Sequence, residues 1–140
     1  MIDLTTEFGK AVERHLNFEH VIWLTTVDAH LTPQPRPVWF FWEYGTILIF
    51  SQPHTYKVKH IKKHPRVALH FNTDNTGDKH VIVMTGEANI DPNGVTPNQV
   101  PSYLEKYKSG IADLNMTPEA FNAEYSILIR IAPSELRGWE

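Results

Sequence analysis

The chain has 140 residues, 41% apolar and 21% charged, which is the composition of one globular domain of ordinary size. It contains no cysteine, so disulfides, thiolate metal sites and a cysteine nucleophile are excluded. The net charge of −3 is unevenly spread: Ala29 to Thr73 holds six Lys/Arg against one acid, Glu43, which leaves seven basic and fifteen acidic residues elsewhere. A cationic segment inside an acidic protein points to a local anion site, since a general nucleic-acid binder is basic overall.

No apolar run approaches the roughly 20 residues that cross a membrane. The start, Met1 to Glu7, lacks the basic and apolar parts of a signal peptide. A cytoplasmic protein without membrane or nucleic-acid partners is expected.

Residues Asp3 to Asn17 read as a first helix, with Phe8, Val12 and Leu16 on one face and Asp3, Thr5 or Thr6 as cap. From His20 the pattern changes to β-branched and aromatic residues, a strand to Asp28. Ala29 to Thr32 makes a hairpin connection to a second strand, Pro33 to Trp42. Its three leading prolines belong on an edge or at a bulge. Tyr44-Gly45 is a tight turn, and Thr46 to Ser51 is a third strand.

A basic helix follows over Thr55 to His64, ended by Pro65. It carries Lys57, Lys59, Lys62 and Lys63 with no acid. A strand feeding a helix start rich in hydroxyls and lysines can hold a phosphate, because free N–H groups and the helix dipole favour an anion there. Lys62 and Lys63 read as plain surface. His60 and His64 stand one turn apart, a metal-binding spacing, but the motif glutamate is missing and four lysines repel a cation; no metal is expected.

Arg66 to Thr73 is a fourth strand, and Asp74 to Asp78 a hairpin loop. His80 to Ile90 is a fifth strand, with Gly86 marking a bulge. Asp91 to Pro97 breaks the pattern. Two helices, Gln99 to Lys108 and Pro118 to Ala123, precede a sixth strand, Tyr125 to Ile131.

This order gives one mainly β (α+β) domain over residues 1–140, an antiparallel six-stranded barrel closed by the C-terminal strand with helices at its periphery. Both faces of Val38 to Trp42 are apolar. One face fills the barrel. The other must be covered by a helix, a flat ligand or a second subunit, and the last two together are the favoured reading.

The runs Arg36 to Phe41, Gly45 to Ser51 and Thr55 to Phe71, with Gly86-Glu-Ala, resemble the pyridoxamine 5′-phosphate oxidase-like superfamily, the flavin-binding split β-barrel. The likeness is strongest over Val21 to Ile90. The Leu24 to Asp28 opening, the Pro37 to Phe40 run and the Lys57 to Ile61 helix look most like the small branch that uses the deazaflavin coenzyme F-420.

The resemblance implies FMN or F-420 as cofactor, lying in a cleft between the subunits of a homodimer. Arg36, Pro37, Val38, Trp39 and Phe40 would line its ring, with Phe50, Ser51 and Gln52 beside it. Thr55 and Lys57 would hold the phosphate, with Tyr56 and Lys59 near. Trp139 either covers the flavin of the neighbouring subunit or anchors the terminus.

The chain departs from the oxidase pattern in three places. Phe41 stands for a phosphate-binding Lys, Tyr56 for an Arg, and the C-terminal Arg-x-His is absent from Leu136 to Glu140. These departures argue against oxidation of pyridoxamine phosphate.

The expected activity is therefore a flavin- or deazaflavin-dependent oxidoreductase acting on a small organic substrate, the hydride chemistry being the cofactor's. No catalytic side chain is assigned. The alternative is a carrier without turnover for a flavin or another planar anion such as haem. A single-stranded nucleic-acid module using the basic helix and exposed aromatics is a third class, disfavoured by the acidic remainder.

Overall fold

A computed structural model describes residues 1–140. The chain folds into helix α1 (Glu7–Phe18), strands β1 (Ile22–Val27), β2 (Pro33–Val38), β3 (Phe41–Glu43) and β4 (Thr46–Ser51), and helix α2 (Tyr56–Lys63). Strands β5 (Arg66–His70) and β6 (Val81–Asp91) follow, then a 3₁₀ turn (Pro97–Gln99). Helices α3 (Pro101–Lys106), α4 (Lys108–Asp113) and α5 (Pro118–Glu124) lead to β7 (Ile127–Trp139). No helix is long and apolar enough to cross a membrane.

All strand pairs are antiparallel, in one sheet of order β2-β1-β5-β6-β7-β4-β3. There are seven strands where the sequence predicts six. The predicted second strand, Pro33 to Trp42, is two: β2 lies at one edge of the sheet and β3 at the other. Only Trp39 and Phe40 separate them, so the chain itself closes the split barrel at this break. The prolines sit on an edge strand, as predicted. Pro33, Pro35 and Pro37 alternate, so their missing N–H groups fall on one side and the sheet cannot be extended there.

The last strand is longer than its apolar alternation suggests. It runs to Trp139 and joins β6 to β4, so it closes the barrel from within the sheet, not from an edge. Pro133 hides this length in the sequence. It is accommodated opposite Gly86, where the register shifts between Thr85 and Gly86. A Cβ at Gly86 would lie 2.5 Å from the Ala132 carbonyl oxygen, so the bulge brings the backbones too close for any side chain.

Two apolar cores result. One fills the barrel under α1 and α2 and contains Phe40, Ile49, Leu69 and Ile129. The other lies outside it, between Leu48, Phe50 and Leu128 of the sheet and Tyr103, Tyr107, Ile111 and Phe121 of the helices. This second core changes one expectation. Trp39 stacks on Tyr107 (centroids 4.6 Å apart) and on Phe121 (5.8 Å). The outer face of the Val38 to Trp42 run is thus covered by helices of the same chain, not by a ligand and a second subunit alone. These helices come some 60 residues later, at no spacing that sequence periodicity registers.

The helix predicted over Gln99 to Lys108 is shorter, and breaks at Tyr107 before continuing as α4. Pro101 sets its start, at a position where proline loses no helical hydrogen bond.

Candidate cofactor cleft

Strand β4 ends at Ser51, and the chain turns through Pro53 into α2. Thr55 is the N-cap in extended conformation, but its hydroxyl makes no capping bond. It pairs instead with the buried Ser51 hydroxyl at 3.0 Å, which itself donates to the Gln52 carbonyl at 2.8 Å. The first-turn N–H groups of α2 are therefore left without a side-chain acceptor. They are the groups that a helix start offers to an anion.

Lys57 projects from this turn into a cleft of about 290 Å³. Its walls are Pro37, Val38 and Trp39 from the end of β2, Phe50 from β4, and Tyr103, Leu114, Phe121 and Tyr125 from the helical segment. Burial holds the Lys57 ammonium below its ordinary pKa. Lys57 takes part in none of the ion pairs of the chain. A half-buried cation facing aromatic walls with no carboxylate carries an uncompensated desolvation cost, which an anion would remove.

Five of the predicted site residues thus meet in one cleft: Pro37, Val38, Trp39, Phe50 and Lys57. Ser51 and Thr55 lie at the helix start beside it. Gln52 does not line the cleft; it donates its amide to the Glu124 carboxylate. Phe40 is fully buried in the barrel core, so its ring reaches no ligand. The backbone contribution expected from the Arg36 to Phe40 strand is narrower as well. Pro37 has no N–H, and that of Phe40 is bound by the Tyr107 hydroxyl at 2.9 Å.

Arg36, Tyr56 and Lys59 lie elsewhere. They line a groove of about 550 Å³ on another side of α2, with Asp28, His30 and His60. There the Lys59 ammonium sits 5.5 Å from the centre of the Tyr56 ring, and the Arg36 guanidinium donates to the Pro35 carbonyl at 2.7 Å. Residues 57 and 59, two apart on a helix, face different sides. His60 bonds the buried Thr26 hydroxyl at 2.7 Å, which gives that histidine a place in the fold.

Trp139 is twelve residues beyond Ile127, the β7 residue paired with Ser51. Its indole donates to the Asp78 carbonyl and its strand position pairs with Val81. Within one protomer it anchors the terminus, at the far end of β7 from the cleft.

Four cleft residues were not named from the sequence: Tyr103, Leu114, Phe121 and Tyr125. Tyr103 is 1% exposed, yet its hydroxyl has no hydrogen-bond partner in the chain and is not among the fully sealed unpaired atoms. It therefore opens onto the cleft. Burial, and secondarily Tyr107 and Tyr125, raise its pKa far above the ordinary value, so it is a neutral donor at physiological pH. The only available signal was the weak apolar spacing of a helical segment.

The family model described as pyridoxamine 5′-phosphate oxidase matches residues 8–140. The chain belongs to this family. Solved structures agree on the fold. An F420 reductase superposes with a TM-score of 0.67 at 22% identity, over 89% of this chain and 94% of that one. A conserved hypothetical protein from Mycobacterium tuberculosis gives 0.73 at 17%, over 97% and 85%. The heme storage protein HutZ from Vibrio cholerae gives 0.67 at 10%, over 94% and 94%. At these identities the likeness is one of fold alone. No curated protein matches the sequence. Proteins of this fold thus include ones named for a deazaflavin and for haem, and the cleft's own chemistry has to discriminate between them.

Proposed function

We propose that the protein is a flavin- or deazaflavin-dependent oxidoreductase, with FMN or F-420 bound at the start of α2 in a homodimer. The observation that carries this reading is Lys57, a desolvated cation without a partner beside uncapped helix N–H groups. Lys57 and the α2 N-terminus bind the cofactor's phosphate. Trp39, Phe50, Phe121 and Tyr125 offer flat apolar surface to a ring, and Tyr103 offers one hydrogen-bond donor.

When bound, the cofactor supplies hydride transfer to or from a small organic substrate. The chain's part is to bind it, orient it and exclude water. A cleft of about 290 Å³ lies at the lower end of ligand pockets. A second subunit completing the enclosure is therefore part of the proposal, and Trp139 of that subunit is the candidate cover.

The test is titration of the purified protein with FMN and with F-420, followed by absorbance. Lys57→Ala is expected to weaken binding by about 1–3 kcal/mol, the range for a charged hydrogen bond. Unchanged affinity of the variant for both cofactors would refute the reading.

A second reading is a carrier without turnover. It is favoured by one feature of the cleft: Lys57 and Tyr103 are its only polar side chains with a titrating proton apart from Tyr125, and none is paired with a carboxylate or histidine. Loaded protein given a reductant and electron acceptors separates the two. Reduction without onward transfer identifies a carrier.

A further inference from the structure

Three residues from distant parts of the chain meet at the end of the sheet opposite α2. His15 is in the last turn of α1, His80 precedes β6, and Glu140 follows β7. One ligand atom from each, two imidazole nitrogens and a carboxylate oxygen, lies within 4.8 Å of the other two. We propose that His15, His80 and Glu140 form a site for a zinc-type divalent cation.

The donor set is the first reason. Two imidazoles and one carboxylate are a common zinc-binding combination, and a fourth position is left for water. The spacing is the second. Bonds of about 2.0–2.2 Å in a tetrahedron place ligand atoms about 3.3–3.6 Å apart. His80 Nδ1 and Glu140 Oε1 are already 3.1 Å apart. Closing the third corner needs a shift of at most about 1.5 Å, which rotation about the side-chain torsions of the exposed Glu140 and half-buried His15 supplies.

Orientation is the third reason. His15 Nδ1 faces the Glu19 carboxylate at 3.3 Å, which leaves Nε2 as its free nitrogen. A carboxylate behind a ligating imidazole fixes the ring and raises its basicity, the usual outer partner of a metal-bound histidine. The ring is also packed, 5.7 Å from Phe71 and 5.5 Å from His80 between centroids. His80 itself has φ of 58°, a left-handed backbone that most side chains avoid. Its N–H donates to the Glu140 carbonyl at 3.0 Å, so the backbone of each holds the other. Unusual backbone held in this way presents the imidazole toward the α1 histidine.

The plainer account is two separate ion pairs, His15–Glu19 and His80–Glu140. It explains the pairs singly and not their convergence. The site stands apart from the cofactor cleft and does not depend on it. Bound metal would tie the end of α1 to both central strands.

The test uses full-length protein freed of metal with a chelator and titrated with Co²⁺, which reports coordination through its visible absorption, then with Zn²⁺. Saturable binding of one Co²⁺ per chain, displaced by Zn²⁺, with a thermal midpoint raised by Zn²⁺ and lowered again by chelator, is expected. His80→Gly keeps the left-handed backbone and is expected to abolish binding. Glu140→Gln, at an exposed position that leaves the fold intact, is expected to weaken it about tenfold or more, as loss of a ligand must do at least as much as loss of an outer partner. Absence of saturable binding overturns the proposal, as does binding that survives Glu140→Gln at unchanged affinity.

Discussion

The Tyr107 hydroxyl accepts the Phe40 N–H at 2.9 Å and lies 2.8 Å from the Phe40 carbonyl oxygen, so one side chain sits against both backbone polar groups of a residue outside the strands. The same hydroxyl is 2.8 Å from the His20 carbonyl. It has one proton, and Lys106 also donates to Phe40, at 3.1 Å, which allows Tyr107 to donate to His20. The break between β2 and β3, where the barrel splits, is held by a helix that arrives much later in the chain.

Tyr107→Phe leaves the Phe40 N–H buried and unpaired, which costs about 1–3 kcal/mol. Tyr103, whose ring is 4.8 Å away, has no internal partner to lose. Urea denaturation should therefore show a clear loss for Tyr107→Phe and a change within about 0.5 kcal/mol for Tyr103→Phe. Equal losses would show that the ring environment matters and the hydroxyls do not.

The cofactor reading makes Lys57 the pH-sensitive group of binding. Its pKa is held below the usual lysine value by burial, and an anion favours its charged form. Affinity for FMN or F-420 is expected to fall as pH rises, starting below the range of an ordinary lysine. Lys57→Met should flatten that profile, whereas Lys59→Met, in the other groove, should leave its shape intact. Identical profiles for wild type and Lys57→Met would remove the lysine from the site.

Lys106 gives a stability prediction with a definite sign. Burial, opposed by the Glu19 charge, lowers its pKa to about 8. The unfolded chain, at the ordinary value of 10.5, then holds more protons than the folded one between these limits. Below pH 8 the charged form burdens the fold; the burden lifts as pH rises through that window. Wild type should gain stability relative to Lys106→Met between pH 7 and pH 10, measured by denaturation at both. A difference independent of pH would mean that the ammonium over the Phe40 ring, 4.0 Å from its centre, offsets its desolvation in full.

Gly86→Ala tests the bulge. The added Cβ meets the β7 backbone, Ala132 O at 2.5 Å and Pro133 Cα at 3.0 Å, and neither can rotate away. A loss of about 1–3 kcal/mol is expected from forced backbone shifts. A neutral result would mean that β6 and β7 part here at no cost.

Much of the barrel was legible because its signals are local. A density of β-branched and aromatic residues found β1, an apolar run after a tight turn found β4, alternation found β5, the alternating prolines found an edge, Gly86 found the bulge, and lysines after a hydroxyl-rich turn found the start of α2. Boundaries went astray where a local signal misled: Pro133 hid the second half of β7, and the unbroken apolar run Val38 to Trp42 hid the split between β2 and β3.

The sequence by itself determined the family, the class of fold and the cation at position 57, because strand periodicity, turn residues and the order of motifs are written within a few residues of each other. The tertiary structure alone decided what that cation faces. It turned Lys57 toward aromatic helices and Lys59 toward another groove, buried Phe40, moved Trp139 to the far end of β7, and brought His15 and His80 to Glu140. Those relations join residues from about 20 to more than 100 positions apart, and no periodicity reports a contact whose partner lies on a different element.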